Sequence, residues 1–339
     1  MFIEVIPFGG SIDDKWLTYY AREELINCIH IGCLVEVPFR NAVDYAIVTN
    51  LSSSQIPENP KSIVRVITSI PLLAPYQIQT LFECASYYFV HAHQILSLFL
   101  SKTLVRYLEK KDFIALNNSY IWPEKKLQIG NKNPIQFYHH TSDVPFFEII
   151  QKHIKGNFIT KWNNNSLKTY LPEMWKNDEI CMKIAHRNEP YDLYGEWGAQ
   201  DLNANIEVIP RFIIIFPDDF AINAYIKSFP VDENILVIPD ALTETKKHKA
   251  YFSVYNGEKN IIIWTRRILY YNLSHYENIL YIEDALHKTA MRFNHIYKHL
   301  EILRKMSSFS DFNITILSTL PSIESMYFLH TGTYIRTEK

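Results

Sequence analysis

The sequence predicts two architectures in series, α+β and then α/β: a small β-rich unit with helices, followed by a lobe built on a parallel sheet. Three observations carry this. Short apolar segments separated by polar turns fill the first hundred residues, helical spacing sets in after Pro75, and continuous β-branched runs alternate with helical stretches in the second half. With 339 residues, 47% hydrophobic and 14% aromatic, the chain can bury a substantial core divided between two or three domains.

The elements follow in order. Phe2 to Pro7, Gly32 to Phe39 and Asp44 to Val48 have the length and bounding turns of strands. After Pro75 the residues Ile78, Leu81, Phe82, Ala85 and Tyr88 recur on one helical face, and a second helix is expected from His93 to Lys110. Residues 112 to 135, with Asn117-Asn118-Ser119 and Gly130-Asn131-Lys132-Asn133-Pro134, have linker composition. Beyond them Phe212 to Phe216, Ile261 to Trp264 and Asn313 to Leu317 are apolar throughout, which is the pattern of parallel strands covered on both faces. Between Gly156 and Glu207 lies a polar segment carrying Trp162, Trp175, Tyr191, Tyr194 and Trp197 without a clear period, read as an insertion. The expected domains are 1–98, a helix and linker over 99–135, and a lobe over 136–339 that holds the insertion.

Composition excludes several classes. A formal net charge of −2 gives no global basic field, so any nucleic-acid contact must rest on local patches. The four cysteines, Cys28, Cys33, Cys84 and Cys181, include no C-x-x-C pair, which argues against a zinc ribbon or a disulfide framework and for a reducing cytoplasm. The first residues lack a basic segment followed by an apolar one, and the longest apolar stretch, Ile95 to Leu108, is interrupted by Lys102 and Arg106 and too short for a bilayer. No signal peptide and no membrane role are expected. His91 with His93, and His139 with His140, lack an acidic or thiol partner at ligand spacing, so neither a metal nor another cofactor is expected. For Tyr19, Tyr20, Tyr87 and Tyr88 both base stacking and core packing are open. Lys102, Arg106, Lys110 and Lys111, continued by Lys125, Lys126 and Lys132, suit phosphate contacts or a solvated helix end.

Particular residues add a resemblance. Gly32-Cys33-Leu34-Val35-Glu36-Val37-Pro38-Phe39, Ile56-Pro57, Lys61-Ser62-Ile63-Val64-Arg65-Val66 and Ala85-Ser86-Tyr87-Tyr88, in this order and spacing, resemble the 3′ DNA-binding domain of the primosomal protein N′ (PriA) family of replication-restart helicases. The second half resembles the first RecA-like (P-loop NTPase-type) lobe of that family. Phe216-Pro217-Asp218-Asp219 stands where the family has V-P-E-I, Gly257-Glu258 through Thr265-Arg266 where it has G-E-A and G-T-R, and Ser318-Thr319-Leu320-Pro321-Ser322-Ile323-Glu324-Ser325 is similar to its S-A-T-P-S-x-E-S. No second motor lobe and no paired-cysteine region follow, so a truncated form is expected.

The resemblance implies a DNA partner, forked or single-stranded with a 3′ end, and further replication proteins as possible partners. The family's F-D-Y falls on Leu17-Thr18-Tyr19, the glycine after V-P-F on Arg40, and its lysine on Lys61. Tyr19, Arg40 and Lys61 are therefore the expected DNA contacts, with Arg266 and Arg267 as second contacts. The resemblance also implies where ATP would sit, and there the chemistry fails. A phosphate-binding loop needs glycines for close backbone approach, a lysine for the phosphate oxygens and a hydroxyl for magnesium. The chain reads His139-His140-Thr141-Ser142-Asp143-Val144-Pro145-Phe146-Phe147-Glu148, which places Pro145 at a glycine, Phe146 at the Walker A lysine and Phe147 at the hydroxyl. The family's D-E-E-H falls near Ile282 to His287 in either of two registers. Glu283 at the metal carboxylate sets Leu286 at the histidine, whereas Asp284 there sets Ala285 at the water-activating glutamate. The expected function is non-catalytic DNA binding in replication restart or repair, with degenerate helicase and ATPase motifs. The alternative is a protein-interaction module of the replication machinery that has lost its DNA-end pocket and docks through the aromatic insertion.

Overall fold

The computed structural model describes residues 1–10, 17–51, 58–110, 135–139, 211–228, 234–283, 290–293, 295–318 and 321–336. Of the expected linker only Ile135, the first residue of a strand, is described; residues 112–134, the insertion and loop residues 140–148 lie outside.

The first sheet is antiparallel, built from β1 (Phe2–Pro7), β2 (Leu17–Tyr20), β3 (Leu34–Phe39), β4 (Ala42–Asn50) and β5 (Arg65–Val66) in the order β2-β1-β4-β3-β5. Its two edges meet. Tyr20 N–H donates to Lys61 O (2.9 Å) and Ile63 N–H to Tyr20 O (3.0 Å), while Val64 N–H donates to Glu36 O (2.8 Å) and Arg65 pairs with Glu36. The segment from Lys61 to Val66 thus ties β2 to β3 and closes the sheet into a small barrel, which leaves no free edge there for another chain. Ile3, Val5, Tyr19, Cys33, Val35, Val37, Ala46, Val48 and Ile63 fill its interior.

The outer side of the barrel is covered by helices. α1 (Pro75–Tyr88) begins at a proline, whose missing N–H costs nothing in the first turn. The residues read as one helical face are only part of what α1 buries, because Tyr76, Gln77, Thr80 and Cys84 are buried too. The reason is that α1 packs on two partners: the barrel residues Ile6, Leu34 and Ile47 on one side, and Tyr251, Tyr255, Tyr270 and Ile302 of the second lobe on the other, in one continuous core. The single helix expected from His93 to Lys110 is two, α2 (Ala92–Phe99) and α3 (Lys102–Lys110). Leu100 is extended, and Ser101 Oγ caps α3 by accepting from Leu104 N–H at 3.1 Å, so the apolar run Ile95 to Leu100 conceals a break. Gly32, at φ +90°, lets the barrel approach the chain before α1, since a Cβ there would stand 2.0 Å from Leu73 O.

The second sheet has seven strands. β6 (Ile135–His139), β7 (Phe212–Phe216), β8 (Ile235–Ile238), β9 (Ile261–Thr265), β10 (Asn278–Glu283), β13 (Asn313–Ser318) and β14 (Tyr334–Arg336) are ordered β14-β6-β13-β10-β7-β9-β8. Every neighbouring pair is parallel. A separate hairpin, β11 (Ala290–Phe293) and β12 (His295–Lys298), lies between β10 and β13 in sequence. Helices α4 (Asp219–Ser228), α5 (Glu244–Tyr255), α6 (His299–Ser307) and α7 (Ile323–His330) connect the strands. Alternate residues of each strand supply two cores. Ile213, Ile215, Ile262, Trp264, Ile279, Tyr281, Ile314 and Ile316 face α5 and α6, whereas Ile214, Phe216, Ile263, Leu280, Ile282 and Leu317 face Ile222 and Tyr225 of α4. This is an α/β sheet covered on both faces, consistent with a RecA-like lobe.

Polar contacts fasten the two units together. Gln77 Nε2 donates to Tyr271 O (2.9 Å) and Tyr270 O (3.3 Å), Leu273 N–H donates to Tyr76 Oη (2.9 Å), and Tyr255 Oη donates to Pro71 O (2.9 Å). Lys305 of α6 pairs with Glu83 of α1 at 3.6 Å.

Candidate nucleic-acid interface

Alternation along β2 sorts its two tyrosines. Tyr19 pairs opposite Ile3, shares that residue's inward face, and is 4% exposed. Its hydroxyl donates to Pro38 O at 2.9 Å, and burial, with the nearby Asp44 charge, pushes the phenol up to about 12. Tyr19 therefore stands inside the barrel, away from the surface that its assignment as a DNA contact requires. Tyr20 points the other way, is 36% exposed, and rests edge-on against Phe2 with ring centroids 5.7 Å apart. The sequence offered a signal for this choice, the period of two, but the register that fixes its phase comes from pairing with β1.

Lys61 is exposed and joined through its carbonyl to Tyr20 N–H. Arg40 is exposed at the turn between β3 and β4, where Phe39 pairs with Ala42, and its guanidinium lies 5.1 Å from the Phe39 ring. Because the chain from Lys61 to Val66 runs antiparallel to β3, Lys61 and Arg40 lie toward the same end of the barrel. Neither has an ion-pair partner among the described residues. The arginine nearby in sequence is different: Arg65 is gripped by Glu36 (2.7 Å) and Glu109 (2.6 Å), which hold its guanidinium above its ordinary value. The rim thus joins an exposed aromatic ring to two uncommitted cations, the arrangement that holds a base and its flanking phosphates. Arg40 takes a left-handed conformation, φ +54°, at the position where the resemblance places a glycine. For a residue with a Cβ this is strained by roughly 1–2 kcal/mol.

In the second lobe the parallel strands end along one edge, the usual ligand-binding side of such a sheet. Arg266 is 6% exposed, directly after β9, and hydrogen bonds with the fully buried Tyr281. It is an internal guanidinium and offers no surface to a backbone phosphate. Arg267 is half exposed, with Nε 3.8 Å from Asp240 Oδ1, and Asp240 also accepts from Thr265 Oγ1 (2.8 Å) and Trp264 Nε1 (3.2 Å). Glu283 ends β10 and is 2% exposed. Its Oε1 accepts from Ser322 Oγ (2.6 Å) and Ser325 Oγ (2.7 Å), and Ser322 Oγ in turn accepts from Ser325 N–H at 3.1 Å as the N-cap of α7. Asp284, Ala285, Leu286 and His287, and the residues Pro145, Phe146, Phe147 and Glu148, lie outside the described residues.

Residues 8–101 match the family model of the PriA 3′DNA-binding domain (3′BD). The matched stretch runs from the end of β1 through α2 and contains Tyr20, Arg40 and Lys61. No curated protein matches the chain. The match supports DNA binding in a context of that kind. Among the described residues no helix is long and apolar enough to cross a membrane.

Proposed function

We propose that the chain is a non-catalytic DNA-binding protein that takes forked or single-stranded DNA with a 3′ end, in replication restart or repair. The observation that carries the reading is the coincidence of the matched DNA-binding segment with the barrel rim where Tyr20, Lys61 and Arg40 stand exposed. Tyr20 stacks on an unpaired base, Lys61 and Arg40 hold its phosphates, and Arg267 supplies a second, half-exposed cation. Tyr19 and Arg266 act beneath the surface by fixing β2 and the end of β9.

The absence of catalysis belongs to the same proposal. The donor set does not fit magnesium-bound ATP: Pro145, Phe146 and Phe147 supply neither a cation nor a hydroxyl at the loop positions. What further supports this is Glu283, one oxygen of which is already taken by two serine hydroxyls. A cytoplasmic location belongs to the same proposal: the described cysteines, Cys28, Cys33 and Cys84, are free, as a reducing compartment keeps them.

The test is fluorescence anisotropy on a fork with a free 3′-OH against the same fork with a blocked 3′ end, at two salt concentrations. Salt-sensitive binding that weakens in Lys61→Ala and Arg40→Ala is expected, with a preference for the free end. Absence of binding to either fork would sink the reading. A second reading, docking on a replication protein, is favoured by the outward residues Ile323, Met326 and Tyr327 of α7, an exposed apolar triplet at helical spacing. It predicts partner capture that survives loss of both Lys61 and Arg40.

A further inference from the structure

A second charged surface forms where the two units meet. α3 belongs to the chain just after the matched segment and α5 to the parallel lobe, and they pack side by side. Thr103 Oγ1 donates to Glu244 Oε2 at 3.2 Å, and one turn further on the rings of Tyr107 and His248 lie 4.6 Å apart. The two helices therefore run in the same direction and begin together. With Thr103 and Tyr107 turned toward α5, and Leu104 and Leu108 into the core, Lys102 and Arg106 occupy the outward face of α3. With Glu244 and His248 turned toward α3, and Tyr251 and Val254 into the core, Lys249 falls on the same outward face of α5, with Lys246 at its flank.

These cations are uncommitted. Among the described residues Lys102, Arg106, Lys246 and Lys249 have no ion-pair partner. The acids around them are engaged: Glu244 with Lys247 and Thr103, Asp240 with Thr265, Trp264 and Arg267, and Glu109 with Arg65 and Tyr45. Placement argues against a merely solubilising role. Lys102 stands in the first turn of α3 and Lys246 in that of α5, where the helix dipole disfavours a cation. The two parallel N-termini instead add to the positive potential of the face. The aromatic rings there are engaged with one another, Tyr107 on His248 and on Phe252, and offer no platform for a base.

We propose that this face binds the phosphate backbone of double-stranded DNA, so that the barrel rim takes the unpaired 3′ end while α3 and α5 take the duplex arm. This rests on the DNA-binding reading above. The experiment compares the full chain with the variant Lys102→Ala/Arg106→Ala/Lys249→Ala on a fork carrying a duplex arm and on a single-stranded 3′-ended oligonucleotide, each across a salt series. Removing three cations that each neutralise one duplex phosphate makes the log–log salt slope shallower by about 2.7. The expected result is that change on the fork with single-strand binding unchanged. A single reversal, Lys249→Glu, is expected to weaken fork binding in the same direction, which guards against misfolding of the triple variant.

Equal slopes for the full chain and both variants would overturn the inference while leaving the DNA reading intact. No binding of the full chain to either DNA would overturn both. Retained fork binding with loss of binding to vesicles containing phosphatidylserine would assign the face to an acidic membrane surface instead and also overturn it.

Discussion

Replacing Gln77 with leucine isolates the polar fastening between the barrel and the parallel lobe. The side chain is fully buried, Oε1 accepts from Ala74 N–H at the start of α1 (2.9 Å), and Nε2 reaches Tyr271 O and Tyr270 O across the interface. Gln77→Leu keeps most of the volume, so the cavity contribution is small and three polar groups lose their partner. An orphaned buried group costs about 1–3 kcal/mol, and a carbonyl with a second lone pair sits at the lower end, which gives about 3–5 kcal/mol in total. That is a large fraction of a typical stability of about 5–15 kcal/mol. The control is Thr80→Val, which removes one buried bond inside α1, Thr80 Oγ1 to Tyr76 O, and costs about 1 kcal/mol. Chemical denaturation reads both, and hydrogen exchange at residues 266–273 reports whether the loss falls at the interface. A Gln77→Leu cost no larger than that of Thr80→Val would refute the reasoning.

Arg40→Gly relieves the left-handed strain at φ +54° and should stabilise the chain by about 1 kcal/mol while weakening DNA binding; a lower melting temperature would count against it. Tyr20→Ala should cost about 1–3 kcal/mol in affinity for single-stranded DNA, whereas Tyr19→Phe should leave affinity alone and lose about 1 kcal/mol of stability through Pro38 O. The reverse pattern in anisotropy and melting would put Tyr19 at the surface. Burial holds His248 below the ordinary imidazole value, and burial with the Arg211 charge does the same for His275. The unfolded chain therefore binds more protons, so stability is full above about pH 6.5 and falls as the pH drops through the folded values. Denaturation midpoints that rise on acidification from pH 7 to 5.5 would contradict this sign.

The parts legible in the sequence were those with one dominant local pattern. Phe212 to Phe216, Ile261 to Trp264 and Asn313 to Leu317 are apolar on both faces because each strand feeds two cores, and this alone distinguishes them. β10 is as central but ends in the polar pair Tyr281 and Glu283 around Ile282, so its run is less uniform, whereas β8, Ile235–Ile238, is as long and as apolar as Ile261 to Trp264 and carried the same local signal. The barrel could not be read from periodicity, since its closure depends on Lys61 and Ile63 meeting Tyr20 some forty positions away. The break at Ser101 did carry a local signal, a hydroxyl three residues before Leu104, but six consecutive residues from Ile95 to Leu100 of mostly apolar character outweighed it. Arg266 and Arg267 look equivalent as neighbours, and only the turn after β9 sends one inward and the other out.

Glu283 offers the sharpest discrimination between a structural and a catalytic carboxylate, because the two predict opposite signs. A carboxylate held for catalysis is buried at a cost to stability, and replacing it with glutamine relieves that cost. A carboxylate that anchors α7 through Ser322 and Ser325 stabilises the fold, and hydrogen bonds to a charged oxygen contribute about 1.5–3 kcal/mol. Glu283→Gln can still accept both hydroxyls, but as a neutral group it roughly halves their strength and loses its attraction to the positive N-terminus of α7. The expected outcome is a loss of about 1–3 kcal/mol for Glu283→Gln, with Ser325→Ala losing a similar amount and the double variant less than the sum, as members of one network do. Stabilisation by Glu283→Gln would mean that burying the charge, with Oε2 lacking a hydrogen-bond partner among the described residues, outweighs the bonds of Oε1 to Ser322 and Ser325, and the anchoring role would have to be given up.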